Sequence, residues 1–221
     1  MDYLELCQRV AREAGLAGSG PEDLSAVSGD EARIKAWVND AWVDIQSHSP
    51  YWDFLWSEFR FQTQDGYRDY DPAQTSANVW ERDSFLMYKT ADGESQENFL
   101  NYVPYADWRS NFERGEPETK PPSHFTILPN NRIRLDTFPD DTYTITGTYW
   151  KKPVPLVENT DTPVVASNHH LAIVYRALLY YATYEEAADV LSLATNLYNT
   201  YFTRLCNQEL PSAAIGAEPI G

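Results

Sequence analysis

The spacing of apolar residues changes twice along this chain. Near the start, Tyr3, Cys7, Val10 and Ala14 recur at helical intervals. Asp2 and Glu5 form an Asp-x-x-Glu opening ahead of them, and Gly15 stands where a helix commonly ends in the left-handed conformation. Gly15, Gly18, Gly20 and Pro21 then predict a loop. Ser28-Gly29-Asp30-Glu31 reads as a capping box, in which Ser28 accepts from the Glu31 N–H while Glu31 reaches back. Ile34, Val38, Ala41, Trp42 and Ile45 fall on one face after it. A helix is therefore expected over residues 29–47, with Pro50 ending any continuation.

The period then falls to two. Phe59, Phe61 and Thr63 alternate with Glu58, Arg60 and Gln62, and Gln64-Asp65-Gly66 predicts a turn into Tyr67–Tyr70, a hairpin. Ser84–Lys89 and Asn98–Val103 read as a second strand pair. Pro104–Arg114 reads as a short helix with Gly115 past its end. Three more strands are expected on Phe125 and Ile127, on Ile133 and Leu135, and on Tyr143, Ile145 and Tyr149. Their alternates are His124, Thr126, Arg132, Arg134 and the threonines from Thr142 to Thr148. One apolar face and one wet face predict an antiparallel meander in a sandwich or half-open barrel. Pro153, Pro155 and Pro163 mark its exit.

Helical spacing returns beyond Ser167, which is expected to cap a helix with the stripe Leu171, Val174, Tyr175 and Leu178. After Tyr184 comes the most regular stripe in the chain: Ala187, Val190, Leu191, Ala194, Tyr198, Tyr201, Phe202 and Leu205. A helix this apolar on one face needs partners. The preceding helix supplies one, and the two N-terminal helices complete a bundle.

The fold class is thus α+β. A helical bundle is built from N- and C-terminal helix pairs, residues 1–50 and 164–208. An antiparallel β-sandwich or barrel-like domain, residues 51–163, is inserted between them, and residues 209–221 form an extended C-terminal arm. The end of the chain has two prolines, two glycines and small apolar residues, too few to build a core. It reads either as a frayed terminus or as a segment that orders on a partner through Leu210, Ile215 and Ile220.

Composition narrows the function. At 221 residues, 43% hydrophobic and 14% aromatic, the chain is globular in character. It carries 33 Asp and Glu against 17 Lys and Arg, a net charge of −16. Phosphate surfaces need clustered cations, so tight nucleic-acid binding and an anionic membrane are both disfavoured. No stretch approaches the roughly 18 uncharged apolar residues of a membrane span. The N-terminus is amphipathic and charged, without the apolar core of a secretory signal. Cys7 and Cys206, both in predicted helices, read as reduced core thiols made in a reducing cytoplasm; a bridge between the first and last helices is the other reading.

Catalytic and metal patterns are missing. His48, His124, His169 and His170 show no ligand spacing, and the adjacent pair points about 100° apart on a helix. There is no Gly-x-Ser-x-Gly, Walker-type loop or Gly-x-Gly-x-x-Gly. Asp136, Asp140 and Asp141 read as turn residues bonded to their own backbone rather than a calcium site. No catalytic residue, metal or cofactor is expected. Tyr51, Trp52, Phe54, Leu55 and Trp56 read as a hinge core between bundle and β-domain. The alternative is a sugar-stacking platform, with Trp80, Tyr105 or Trp108 exposed to serve it.

Two stretches carry a family resemblance. One is YLELCQRVAREAG followed by SGDEARIKAWVNDAWVDIQSHSPYWDFLW; the other is AIVYRALLYYATYEEAADV with its trailing amphipathic helix. With the β-rich insertion they resemble the head–tail adaptor, or connector, proteins of tailed bacteriophages. The likeness is strongest from Ser28 to Trp56. The resemblance implies a structural protein of the virion that forms a ring, commonly twelvefold, under the portal protein. The helical bundle would pack around a channel that DNA crosses without specific binding, and the β-domain would face a tail or nozzle protein. The C-terminal arm would reach the portal, with Leu210, Pro211, Ile215 and Ile220 as anchors. An acidic wall suits a channel that must not grip phosphates. Two rival readings are a phage tail or surface module whose β-domain binds glycans through aromatics, and an enzyme acting on cell-wall sugars.

Overall fold

Asp2 opens the first helix as its pattern predicts. The Asp2 carboxylate accepts from the Glu5 N–H at 2.8 Å, and the Glu5 carboxylate accepts from the Asp2 N–H at 3.0 Å. The computed structural model describes residues 1–16, 18, 20–72 and 76–211. Among these residues five α-helices form: α1 (Tyr3–Glu13), α2 (Gly29–Ser47), α3 (Tyr105–Asn111), α4 (His170–Tyr184) and α5 (Ala188–Glu209). Gly15 follows α1 at φ 70, the left-handed conformation expected of it. The bounds of α2 match expectation, but its cap does not. Ser28 makes no side-chain capping bond. Gly29 enters at φ 56, so regular helical geometry starts one residue later than the box requires.

The chain divides into two compact units, one of Met1–Leu55 with the chain from Pro153, the other of Trp56–Lys152. In the first, α1 packs on α2 and α4, α2 packs on α4, and α5 packs along α4. Leu6, Val10, Ile34, Val38, Trp42, Ile45, Ile173, Val174 and Leu178 are buried there, each contributing about 1.5–3 kcal/mol by leaving water. Helix α4 is buried on more than the one stripe expected: Ala172, Ile173, Val174, Tyr175, Ala177 and Leu178 are all covered, while Leu171 is only half-buried. Ser167 does not cap it. Ala166 takes the extended cap position, so Ser167 begins a 3-10 turn, Ser167–His169, that runs into α4.

The returning segment is laced onto the first two helices. Buried Gln46 of α2 accepts from the Val154 N–H at 3.0 Å and donates to the Val154 carbonyl at 3.1 Å. Asn39 accepts from the Leu156 N–H at 2.8 Å. The Tyr3 and Leu4 N–H groups donate to Asp161 and Asn159 carbonyls at 2.8 and 3.1 Å.

The second unit holds β1 (Trp56–Gln62), β2 (Asp69–Tyr70), β3 (Ala77–Trp80), β4 (Leu86–Lys89), β5 (Asn98–Phe99), β6 (Asn101–Tyr102), β7 (His124–Ile127), β8 (Ile133–Leu135) and β9 (Tyr143–Lys151). They make two open sheets, not a closed barrel. One runs β1-β9-β4-β5, with β3 also on β9; the other runs β2-β8-β7-β6. All pairs are antiparallel except β6 with β7.

Three strand expectations are corrected. The hairpin after β1 does not form: β1 pairs along its whole length with β9, from Trp56↔Trp150 to Gln62↔Thr144, while β2 pairs with β8. The distant strand offers seven paired positions and the near one two. Tyr70 meanwhile folds the intervening loop on itself, donating to the Tyr67 carbonyl at 2.7 Å and accepting from the Gln64 N–H at 3.2 Å. The meander is broken too, because β7 and β8 pair in one sheet and β9 lies in the other. Nor is the threonine face uniformly wet, since Thr126 and Thr144 are buried. The helix at 104–114 is present but shorter, as α3.

One core fills the β unit. Phe59, Trp80, Phe85, Phe125, Ile133, Leu135, Ile145 and Tyr149, from both sheets, form a single buried cluster. Phe85 stacks on Phe125 with centroids 4.0 Å apart. Gly147 lies under Phe59, whose ring atoms would stand 2.8 Å from an added Cβ. Asn131, at φ 67, accepts from the Trp80 indole at 3.0 Å and donates to the Ala77 carbonyl at 2.6 Å. Arg134 grips Asp69 with two bonds, of 2.6 and 2.7 Å, and Glu113 with a third at 2.8 Å.

Two predictions follow from these ties. Gln46→Leu leaves both main-chain groups of Val154 without their partner, and is expected to lower stability by about 1–3 kcal/mol in urea unfolding. The Arg134 guanidinium holds the Asp69 carboxyl below its ordinary value. A depressed folded value gives stability that is present above the unfolded value, about 3.9, and is lost as pH falls through the folded one. The deficit of Asp69→Asn in urea unfolding should therefore be largest at neutral pH and shrink as the pH falls below about 4.

Candidate assembly surface

Helix α5 spans 22 residues and holds only three charged side chains, Asp189, Arg204 and Glu209. A tight turn precedes it, in which Glu186 takes φ 54. Asp189 in its first turn favours the positive end of the helix dipole. Only Ala194 and Leu205 are buried on it. Ala194 lies against Tyr175 and Leu178 of α4, where its small side chain permits close approach. Tyr175 stacks on Tyr201 at 5.5 Å, and Tyr198 on Phe202 at 5.1 Å. Phe202 also meets the edges of His48 and Trp52, at 4.8 and 6.3 Å.

The other side of α5 is open. Leu191 and Leu193 are 39% and 52% exposed. Ser192, Thr195, Asn196, Asn199, Thr200, Thr203 and Asn207 are exposed beside them. The expected stripe is therefore covered only in part: Val190, Tyr198, Tyr201 and Phe202 are half-buried, and Leu191 faces solvent. The reason is that α1 and α2 pack on α4, so α5 is left with essentially one helical neighbour. The outcome is a long surface with little charge on a strongly acidic chain. Its sequence signal was the scarcity of charge between 188 and 209, which a search for apolar periodicity passes over.

The predicted anchor residues begin where α5 stops. The Leu210 N–H donates to the Cys206 carbonyl at 3.2 Å and the residue turns extended, half-buried, with Pro211 exposed after it. Ile215 and Ile220 lie outside the described residues.

The sugar platform loses two of its three named rings. Trp80 and Trp108 are 4% and 0% exposed, so neither offers a ring face to a ligand, while Tyr105 is half-buried. The aromatic cluster at 51–56 divides. Trp52 and Leu55 are buried, Trp52 stacks on Phe54 at 5.3 Å, and its indole donates to the Ile45 carbonyl at 3.0 Å. Tyr51 and Trp56 are instead 45% and 46% exposed.

A serine, a histidine and a carboxylate do meet. Ser123 Oγ lies 2.8 Å from Asp136 Oδ2 and 2.9 Å from His124 Nδ1. The order is wrong for a nucleophile. The hydroxyl donates to the carboxylate, and Asp136 also accepts from the Ser123 N–H at 3.1 Å, so the group closes the start of β7 rather than activating oxygen. Asp136 thus departs from its expected turn role. Asp141 keeps its role, accepting from the Thr142 N–H at 2.7 Å, whereas Asp140 accepts from a side chain, the Tyr143 hydroxyl, at 2.8 Å.

His169 and His170 are buried at the start of α4. His170 Nε2 meets the Val165 carbonyl at 3.1 Å, and burial lowers its pKa. Cys7 and Cys206 are free, and burial pushes the Cys7 thiol up to about 12. No group of three or more metal-ligating side chains is gathered among the described residues. No helix among them is long and apolar enough to cross a membrane.

The SU10 adaptor protein family model matches residues 1–217 of the chain. No curated protein matches it.

Truncations along α5 should separate its two sides. Leu205→Ala, at a buried site, is expected to cost about 2–4 kcal/mol in urea unfolding. Leu193→Ala, on the open side, should cost about 0.5 kcal/mol or less.

Proposed function

We propose a structural role at the head–tail junction for this chain, which belongs to the SU10 adaptor protein family, a family of phage head–tail adaptors. In this reading copies of the chain form a ring, dodecameric, under the portal protein, and join it to a tail or nozzle protein. DNA passes through the central channel without specific binding. The helical unit acts as a bundle in the ring wall, and the inserted β unit acts as a sandwich-like platform for tail components. The functional division follows 1–50 with 164–208, then 51–163, then the arm 209–221. The protein is made in the host cytoplasm and resides in the virion.

The observation that carries the reading is the open face of α5. Copies with a net charge of −16 repel one another within the Debye length of about 8 Å. A ring needs a surface on which like chains can close up. Helix α5 offers one, with three charges in 22 residues and two exposed leucines. The acidic remainder suits a passage that must not hold phosphates. The arm that leaves α5 at Leu210 is the proposed portal contact, through Leu210, Pro211, Ile215 and Ile220.

Negative-stain imaging of the chain mixed with the portal protein of its phage tests this. Rings of added density on one end of the portal are expected; bare portals at saturating concentration would remove the role. Deleting residues 209–221 should abolish portal binding while the helical unit stays folded by circular dichroism. Asn196→Asp with Asn199→Asp adds two negative charges per copy to the open face of α5. The pair should lower ring occupancy on the portal at least about tenfold, most at low salt.

A further inference from the structure

Strand β1 is an edge. Among the described residues its one ladder partner is β9, and it ends the strand order of its sheet. The Thr63 N–H donates to the Tyr143 carbonyl at 2.8 Å, which fixes the alternation of the ladder. By that parity Ser57, Phe59 and Phe61 turn their main-chain groups toward β9. Trp56, Glu58, Arg60 and Gln62 turn theirs outward, and among the described residues no main-chain bond meets them. The same four side chains are the exposed ones of the strand. A seven-residue open edge is a template for another strand.

We propose that β1 pairs antiparallel with β1 of a second copy, centred on Phe59, and makes a two-fold dimer of the free chain. The strand carries opposite charges either side of its centre, negative at Glu58 and positive at Arg60. With Phe59 opposite Phe59, Glu58 of each copy faces Arg60 of the other, and Trp56 faces Gln62. All of these positions carry outward main-chain groups, so each facing pair exchanges two main-chain bonds. Edge strands that resist association carry like charges, which repel when copies meet. Here the charges are opposite and two residues apart, and become cross-strand partners. Arg60 already bonds Glu94 at 3.1 Å and the Tyr88 hydroxyl, so Glu58 of the second copy would approach a guanidinium already held in place. The contact also covers Trp56, which is 46% exposed.

A two-fold contact closes at two copies and cannot by itself build a ring. The dimer therefore belongs to the free protein and uses a different surface from α5. Its test is the mass of the chain alone, whereas the ring is tested on the portal, so either can fail without the other.

The experiment is sedimentation equilibrium of the full chain across about two decades of concentration. A dimer that dissociates on dilution is expected. Glu58→Arg sets like charges against each other and should weaken it at least about tenfold, as should Arg60→Glu. Mixing these two variants should restore a dimer, because each then supplies what the other lacks. Glu58→Pro removes an outward N–H and the carboxylate but no bond to β9, so circular dichroism should stay unchanged while the dimer is lost. A chain that stays monomeric throughout, an association that Glu58→Pro leaves intact, or a mixture of variants that does not pair would each overturn the proposal.

Discussion

The helical unit depends on one re-entry. Its chain leaves after Leu55 and returns at Pro153, so α4 and α5 can meet α1 and α2 only if the returning segment is held. Gln46 holds it. A buried side-chain amide both accepts and donates, and Gln46 turns its oxygen and its amide nitrogen to the two main-chain groups of Val154, while the nitrogen also donates to the Trp42 carbonyl at 3.3 Å. Asn39 takes the next free N–H, at Leu156. These polar ties are costly to leave unmade, which makes them specific: one placement of the returning segment satisfies them, and a shifted one buries unpaired groups. The apolar contacts of α4 then add the bulk of the stability, without being particular about register.

The polar chemistry of the chain is spent in the same way. Asp136 secures Ser123, Arg134 secures Asp69 and Glu113, and Asn131 joins Trp80 to Ala77. His170 is buried against the Val165 carbonyl. Each such group completes a fold contact instead of pointing at a place where a substrate would sit. That pattern accords with a structural family, whose task is to present surfaces.

Surfaces that copies of an acidic protein can share must lack net repulsion. Two places meet this condition by different means. The open face of α5 carries little charge, and the β1 edge balances it. The first suits a contact repeated around an axis; the second is self-complementary and closes on itself.

Much of the helical plan was legible in the sequence, because helices are local. The bounds of α2, the capping box of Asp2 and Glu5, and the left-handed Gly15 follow from residues a few positions apart. The strands were legible as segments, since alternation is local too. Their partners were not. The turn at Gln64-Asp65-Gly66 pointed to a neighbouring strand, yet β1 took β9, more than 80 residues away, because a longer ladder outweighed a short loop. The same limit applied to burial. The stripe on α5 was the clearest signal in the chain, but the helix is largely open; the burial of Trp80 and Trp108 left no mark in the sequence, and both indoles are covered. Periodicity, which is a property of neighbours, determined that a face is apolar and which element carries it. What covers that face depends on segments distant in sequence, and only the tertiary structure decided it.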